Sequence, residues 1–349
     1  MSTTTDNHQP APRSTLGPLV ARRPVTAFLL MAFTVGWGGM LPLLLSETGF
    51  GVLPIELPAW PFPVILSIFG LALPAFLVTA ATGGREGVRD LLRRIFRWRV
   101  GVHWYLLALF GLLVAALLGA IPFLGVVPLE ALARNWSLLF TVFLWGVLAP
   151  FVHTNLGEET GWTGFMQHTL QERHGPVLAS IMVAPLFALI HMPAFFVAGW
   201  ISEEKMSLGQ FPSVLLTVGV MAVFAIFLRV LIMWLYNRTG RSVLLVALFH
   251  SAFNMTNGQK ITPDLLGLPE GLASLIPLAA VAVIAVLLVV FTRGRLARKP
   301  ERTVPRPAVA GGSGSPTESA IAQPPDRHVL EPLAWRSGTT DRGPQERSN

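Results

Sequence analysis

Two adjacent glutamates, Glu158 and Glu159, sit in the stretch Gly157-Glu158-Glu159-Thr160-Gly161-Trp162, a histidine closes Phe187-Ala188-Leu189-Ile190-His191, and a histidine and an asparagine bracket His250-Ser251-Ala252-Phe253-Asn254. Each stretch lies in or beside an apolar run long enough to span a bilayer, where an ionisable side chain costs roughly 2.5 to 3.5 kcal/mol at a helix centre and is rarely kept without a task. Residues four apart share a helix face, so Phe187 projects with His191 and His250 with Asn254. The set suits hydrolysis of a peptide bond. A carboxylate and an imidazole can hold and deprotonate a water, while a second imidazole and a carboxamide donate hydrogen bonds to the oxyanion that forms. Alternatively, carboxylate and imidazoles can bind a zinc ion that polarises the water, although the spacing is not HExxH, in which both histidines stand on one helix. Adjacent glutamates point about 100° apart on a helix and cannot address one site equally; Glu158 is ranked first and Glu159 second.

The elements that must position these groups are helices in a membrane. Of 349 residues, 52% are hydrophobic and 13% charged, more apolar sequence than a soluble core needs. A hydrocarbon core about 30 Å thick takes roughly 20 apolar residues in a helix. The chain offers about eight such runs, at 25–45, 61–82, 104–127, 138–159, 177–199, 211–236, 242–257 and 272–291. The expected fold is therefore all-α, a polytopic membrane helix bundle with about eight transmembrane helices. Pro150, Asn155 and Gly157 suggest a bend in the fourth run, with an amphipathic continuation from Phe165 to Leu170. At 1.5 Å per residue, His191 stands about 21 Å into its run and His250 and Asn254 about 12 and 18 Å into theirs, so the groups can meet at a shared depth.

Charge sets the expected orientation. Arg22 and Arg23, six arginines between 85 and 99, Arg173, Arg238 with Arg241, and the group from Arg293 to Lys299 alternate with loops that hold Glu47, Glu56, Glu130, Glu203, Glu204, Asp264 and Glu270, opposed there only by Arg134, Lys205 and Lys260. Basic loops stay cytoplasmic, so both termini are expected there. The net charge of +7 then reflects topology, and no nucleic acid partner is expected. Residues 91–99 mix Leu92, Ile95, Phe96 and Trp98 with arginines, as a helix lying in the inner interface would; a plain basic loop is the alternative. A membrane domain at 22–295, with its chemistry concentrated at about 138–257, is flanked by segments 1–21 and 296–349, which are expected to be disordered and cytoplasmic. The chain has no cysteine, which excludes disulfides and thiolate ligands. Its only lysines are Lys205, Lys260 and Lys299, an arginine bias that points to a GC-rich bacterial genome and a cell-membrane location.

On these residues the chain resembles the CPBP family of intramembrane proteases, which comprises type II CAAX prenyl proteases and bacteriocin-processing or immunity proteins. That family carries EExxxR, FxxxH and HxxxN or HxxxD on successive helices, and Glu158-Glu159, Phe187 with His191, and His250 with Asn254 match in order. FxxxH alone arises readily by chance in an apolar chain, whereas three motifs in order, on spans, are specific. The resemblance implies an endopeptidase that cuts a membrane-associated peptide or protein, either a CAAX-type substrate or a bacteriocin-like peptide. It also implies that Glu158 and His191 activate the water and that His250 and Asn254 stabilise the oxyanion. In a metalloenzyme, Glu158, His191 and His250 would be the zinc ligands. One departure stands out, because Thr163 occupies the position of the motif's arginine. Glu159 is then either protonated or paired with Arg229, an unusual charge inside the sixth run; snorkelling of Arg229 to the inner interface is favoured over pairing.

A catalytically silent membrane scaffold or immunity protein is the alternative function, favoured only by Thr163. A proton-coupled transporter ranks third, since no pair of interrupted helices or internal repeat is visible. His153 lies near Glu158 but belongs to no motif. Trp162 and Phe165 are expected to pack, and Gly161 and Gly164, four residues on from Gly157 and Thr160, to permit close helix approach.

Overall fold

The computed structural model describes residues 20–197, 207–257 and 261–297. Nearly all of the expected disordered termini, and the loop charges Glu203, Glu204, Lys205 and Lys260, lie outside the described residues. Among the described residues every regular element is helical. Seven helices are long and apolar enough to cross a membrane: α1 (Pro24–Leu45), α2 (Pro61–Ile95), α3 (Val102–Leu124), α4 (Leu139–His174), α5 (Pro176–Phe196), α6 (Leu208–Arg238) and α8 (Glu270–Phe291). Between α6 and α8 lies the shorter apolar helix α7 (Val243–Asn257). Prolines in the first turns of α1, α2 and α5 start helices where a missing N–H costs nothing. The protein is thus a multi-pass membrane helix bundle.

Helix α7 departs from the expectation of a full span. Its 15 residues reach only about 22 Å, less than the hydrocarbon core. It is tolerated because α3, α4, α6 and α8 pack around it and bury Leu245 through Ala252, so it need not match the lipid. The helix that carries His250 and Asn254 is therefore internal to the bundle.

Helix α2 runs past the apolar segment into the basic stretch. Gly84, at φ 58° and ψ −150°, breaks it where an L side chain would be strained, and the helix resumes to Ile95. Leu91, Arg94 and Ile95 are buried, while Leu92, Phe96 and Trp98 are exposed beside arginines. Of the two readings of this stretch, the amphipathic helix is the one observed through Ile95.

Helix α4 bears the glutamates, and it is not uniformly wound. Widened π-helical turns occupy Leu139–Phe143, Phe151–Asn155 and Thr160–Gln167, on either side of the single α-helical turn Leu156–Glu159. The bend expected near Pro150 takes this form, one often found at functional sites. A widened turn loosens the regular backbone ladder, and threonine hydroxyls bond to carbonyls along it: Thr154 to Pro150 at 2.8 Å, Thr160 to Leu156 at 2.7 Å and Thr169 to Phe165 at 2.7 Å. Ser67 on α2 adds a hydrogen bond to the Thr154 carbonyl.

Close crossings bring α4 against α2. A Cβ added at Gly161 would lie 3.0 Å from Leu71 Cβ, as the sequence suggested, and one at Gly157 would collide with Ser67 Oγ, so Gly157 serves the same crossing. Gly164 is similar, with Leu91 Cδ1 at 3.2 Å and Val243 Cγ2 at 3.3 Å from the added atom. One apolar cluster is built on α3, α7 and α8, the other on α1, α2 and α5. Both draw on α4 and α6, and the polar residues lie along that seam.

The α1–α2 crossing yields a contrast that can be measured. A Cβ at Gly70 would stand 2.9 Å from the Gly36 backbone Cα, whereas one at Gly36 meets first the flexible end of Leu66, at 2.6 Å. Gly70→Ala is expected to lower stability in detergent by about 1–3 kcal/mol, and Gly36→Ala by less, because backbone cannot yield as a side chain does. Thermal unfolding of the two variants checks the order.

Candidate active site

The buried charge of α6 organises the site. Arg229 is 0% exposed and grips Glu159 of α4 with both ends of its guanidinium, Nη1 to Oε2 and Nη2 to Oε1, each at 2.9 Å. Thr163, one turn after Glu159, donates its hydroxyl to Oε2 and accepts from Arg229 Nη1 at 3.3 Å. His250 of α7 places Nδ1 2.7 Å from Glu159 Oε1. A carboxylate can only accept here, so the proton sits on Nδ1 and the ring presents Nε2. Three helices therefore meet on one carboxylate.

The expectation that Arg229 snorkels is wrong, and geometry gives the reason. Arg229 lies nine residues before the end of α6 at Arg238, about 14 Å along the axis, farther than its side chain can stretch. In a dry interior a bidentate pair also offsets two desolvated charges better than either could alone.

His191 closes α5. Its Nδ1 stands 2.7 Å from the Phe187 carbonyl, which must accept, so His191 also presents Nε2. The Phe187 ring lies 4.8 Å from the His191 ring and 5.6 Å from the His250 ring, centroid to centroid, and Arg229 Cζ sits 4.3 Å over its face. The FxxxH spacing thus has a structural reason: the backbone of Phe187 orients one imidazole, and its ring separates the two while meeting the guanidinium. Trp162 is fully buried and packs edge-on against Phe28 and Phe187, a packing role as expected.

The two glutamates differ as their angular separation requires. Both oxygens of Glu159 are occupied, whereas Glu158 is nearly buried and its Oε2 lies 3.9 Å from His250 Nδ1. Glu158 is also within electrostatic reach of His191. Asn254, half-buried, stands one turn beyond His250 on the same face of α7. Glu158, Glu159, His191 and His250 are therefore brought to one region, with Glu159 as the bound carboxylate and Glu158 as the less committed one. His153 is exposed and opens into a groove shared with Ile68, Phe76 and Leu156, so it does not join them.

Two further contacts brace the site and were missed in the sequence. Gln167 Nε2 donates to Ser180 Oγ at 2.9 Å and to the Arg229 carbonyl at 3.1 Å, which ties α4 to α5 and α6. Arg94, from the basic end of α2, is buried and donates to the Gly164 carbonyl at 2.6 Å and to Tyr236 Oη at 3.2 Å. In the sequence Arg94 is one of six arginines in a loop-like stretch, and nothing sets it apart.

Among the described residues no group of three or more histidine and carboxylate side chains is placed to hold a metal ion. Glu158, His191 and His250 do not form a ligand cluster as they stand, and one ring nitrogen of each histidine is already committed.

The protein is a bundle built to cross a membrane, with carboxylates, imidazoles and a guanidinium gathered away from lipid. Residues 135–256 match a family model described as Type II CAAX prenyl endopeptidase Rce1-like, and this segment includes Glu158, His191, Arg229, His250 and Asn254. Over that segment the chain is similar to the CAAX prenyl endopeptidases. No curated protein matches the chain.

Removing the guanidinium tests the central pair. Arg229→Met keeps volume but strands Glu159, and is expected to cost about 3–5 kcal/mol; the double variant with Glu159→Gln should regain much of that loss. Thermal melts of the three purified variants measure it, and a wild-type melt for Arg229→Met would remove the pair from the account of stability.

Proposed function

We propose that the protein is an intramembrane endopeptidase that hydrolyses a peptide bond of a membrane-associated substrate, of the CAAX type or a bacteriocin-like exported peptide. The observation that carries this reading is the unequal commitment of the two glutamates: Arg229, Thr163 and His250 engage Glu159, while Glu158 stays beside the imidazoles with proton-accepting capacity. In this mechanism Glu158 and His191 Nε2 hold a water between them. The water oxygen adds to the substrate carbonyl carbon as Glu158 takes the proton. The resulting oxyanion accepts hydrogen bonds from Asn254 Nδ2 and from His250 Nε2–H, the latter when the ring carries its second proton. Glu159 holds that imidazolium through Nδ1. Two carboxylates, one guanidinium and one imidazolium then sum to zero, which suits a site without bulk water. On collapse the carbon–nitrogen bond breaks and Glu158 returns its proton to the leaving amine.

The alternative of a silent scaffold or immunity protein drew on Thr163. Here a guanidinium still reaches Glu159, from α6 rather than from α4, and Thr163 adds its hydroxyl to the same oxygen. That arrangement supports an active enzyme. The alternating basic loops favour cytoplasmic termini and cleavage near the inner half of the bilayer, in a bacterial cell membrane.

Glu158→Gln is expected to reduce cleavage of a prenylated, internally quenched CAAX peptide by roughly 10²–10⁴-fold, with membrane insertion and melting temperature unchanged. Cleavage at the wild-type rate would sink the proposed role of Glu158. Elemental analysis of the same active preparation, with and without a chelator, reads out whether zinc is required; zinc would ask Glu158, His191 and His250 to move together.

A further inference from the structure

We infer that Asn155 is a substrate-contacting residue of this site, and that its carboxamide oxygen accepts a hydrogen bond from a backbone N–H of the bound peptide beside the scissile bond. The inference rests on the peptidase reading above. Asn155 is 2% exposed, and its Oδ1 is fully buried without a hydrogen-bond partner. A buried acceptor left unpaired costs stability, so natural interiors rarely keep one without a use. Its position suggests the use.

On α4, at about 100° per residue, Asn155 falls about 60° from Glu158 and about 40° from Glu159, between their two directions. The exposed His153 lies on the other side of the helix. Across the interface, α7 runs antiparallel to α4: a Cβ at Gly164 would meet Val243, and one at Gly146 would meet Met255. Asn155 is midway between Gly146 and Gly164 in sequence, and the midpoint of the facing stretch falls at Phe249, next to His250. The orphaned acceptor is therefore level with the imidazole that faces the oxyanion. It sits at the last residue of the widened turn Phe151–Asn155, where the local winding departs from a regular helix.

An unused acceptor at this place fits an extended peptide, which brings a backbone N–H on either side of the bond to be cut. Once the peptide binds, the oxygen gains the partner that the free enzyme lacks. Glu158 and His191 keep their roles, and no proton is exchanged with Asn155.

Asn155→Leu nearly preserves volume and removes the orphan. We expect its melting temperature to match or exceed that of wild type, while kcat/KM on the prenylated quenched peptide falls roughly 10–100-fold. A series of the same peptide, each with one backbone amide within two residues of the cleavage site replaced by an ester, locates the partner. One ester should slow the wild type by a similar factor yet leave Asn155→Leu nearly unchanged, the non-additivity expected of a shared hydrogen bond. Wild-type activity in Asn155→Leu, a lower melting temperature in step with lost activity, or additive losses for every ester would each overturn the inference. If Glu158→Gln is inactive while Asn155→Leu is fully active, the carboxamide role alone falls. If the wild type does not cleave, the peptidase reading falls and takes this one with it.

Discussion

A carboxylate buried where water cannot reach it must find a positive partner, and the Glu159–Arg229 pair meets that requirement for the whole bundle. The guanidinium reaches Glu159 from α6, His250 joins from α7, and Phe187 of α5 lies against both Arg229 and His250. Four helices are thereby held in register around one charged group. The pair also divides the labour between the glutamates, since the one that is neutralised cannot also be the one that takes a proton.

The surrounding fold makes this arrangement possible by bringing backbones close and varying the helical winding. Glycines at 157, 161 and 164 let α4 lie against α2 and α7, while widened turns rotate the glutamates relative to a regular helix. Carbonyls along those turns are engaged by threonine hydroxyls, Ser67 and Arg94 rather than left bare in lipid. The site-bearing helix is thus irregular in winding yet well supplied with partners.

Much of this was legible in the sequence. Bilayer thickness dictates the length of apolar runs, so the helices and most of their ends followed from hydropathy. The cost of polar groups in such runs drew attention to Glu158, Glu159, His191, His250 and Asn254, and the first four lie together, with Asn254 one turn from His250 on α7. What could not be read depends on which helices touch. The link from Glu159 to Arg229 spans 70 positions in the chain; the sequence offered it as one reading and ranked snorkelling above it, because neither local stretch tells which helices touch. Arg94 looks like its five basic neighbours until packing buries it. The run at 242–257 was read as a full span, because the sequence does not tell that other helices would enclose a shorter helix there. Asn155 read as part of a bend because its unpaired oxygen exists only once the helices have closed around it.

The order of the charges along the chain has a consequence for biogenesis. A ribosome releases Glu159 well before Arg229 and later still His250, so the hairpin of α4 and α5 reaches the insertion machinery carrying acids whose partners have not been synthesised. That hairpin cannot be abandoned to lipid on its own; it must wait in a protected or watery environment until α6 and α7 arrive. A chain truncated between α5 and α6 should therefore be a poor lodger in the bilayer and a ready client for quality-control proteolysis.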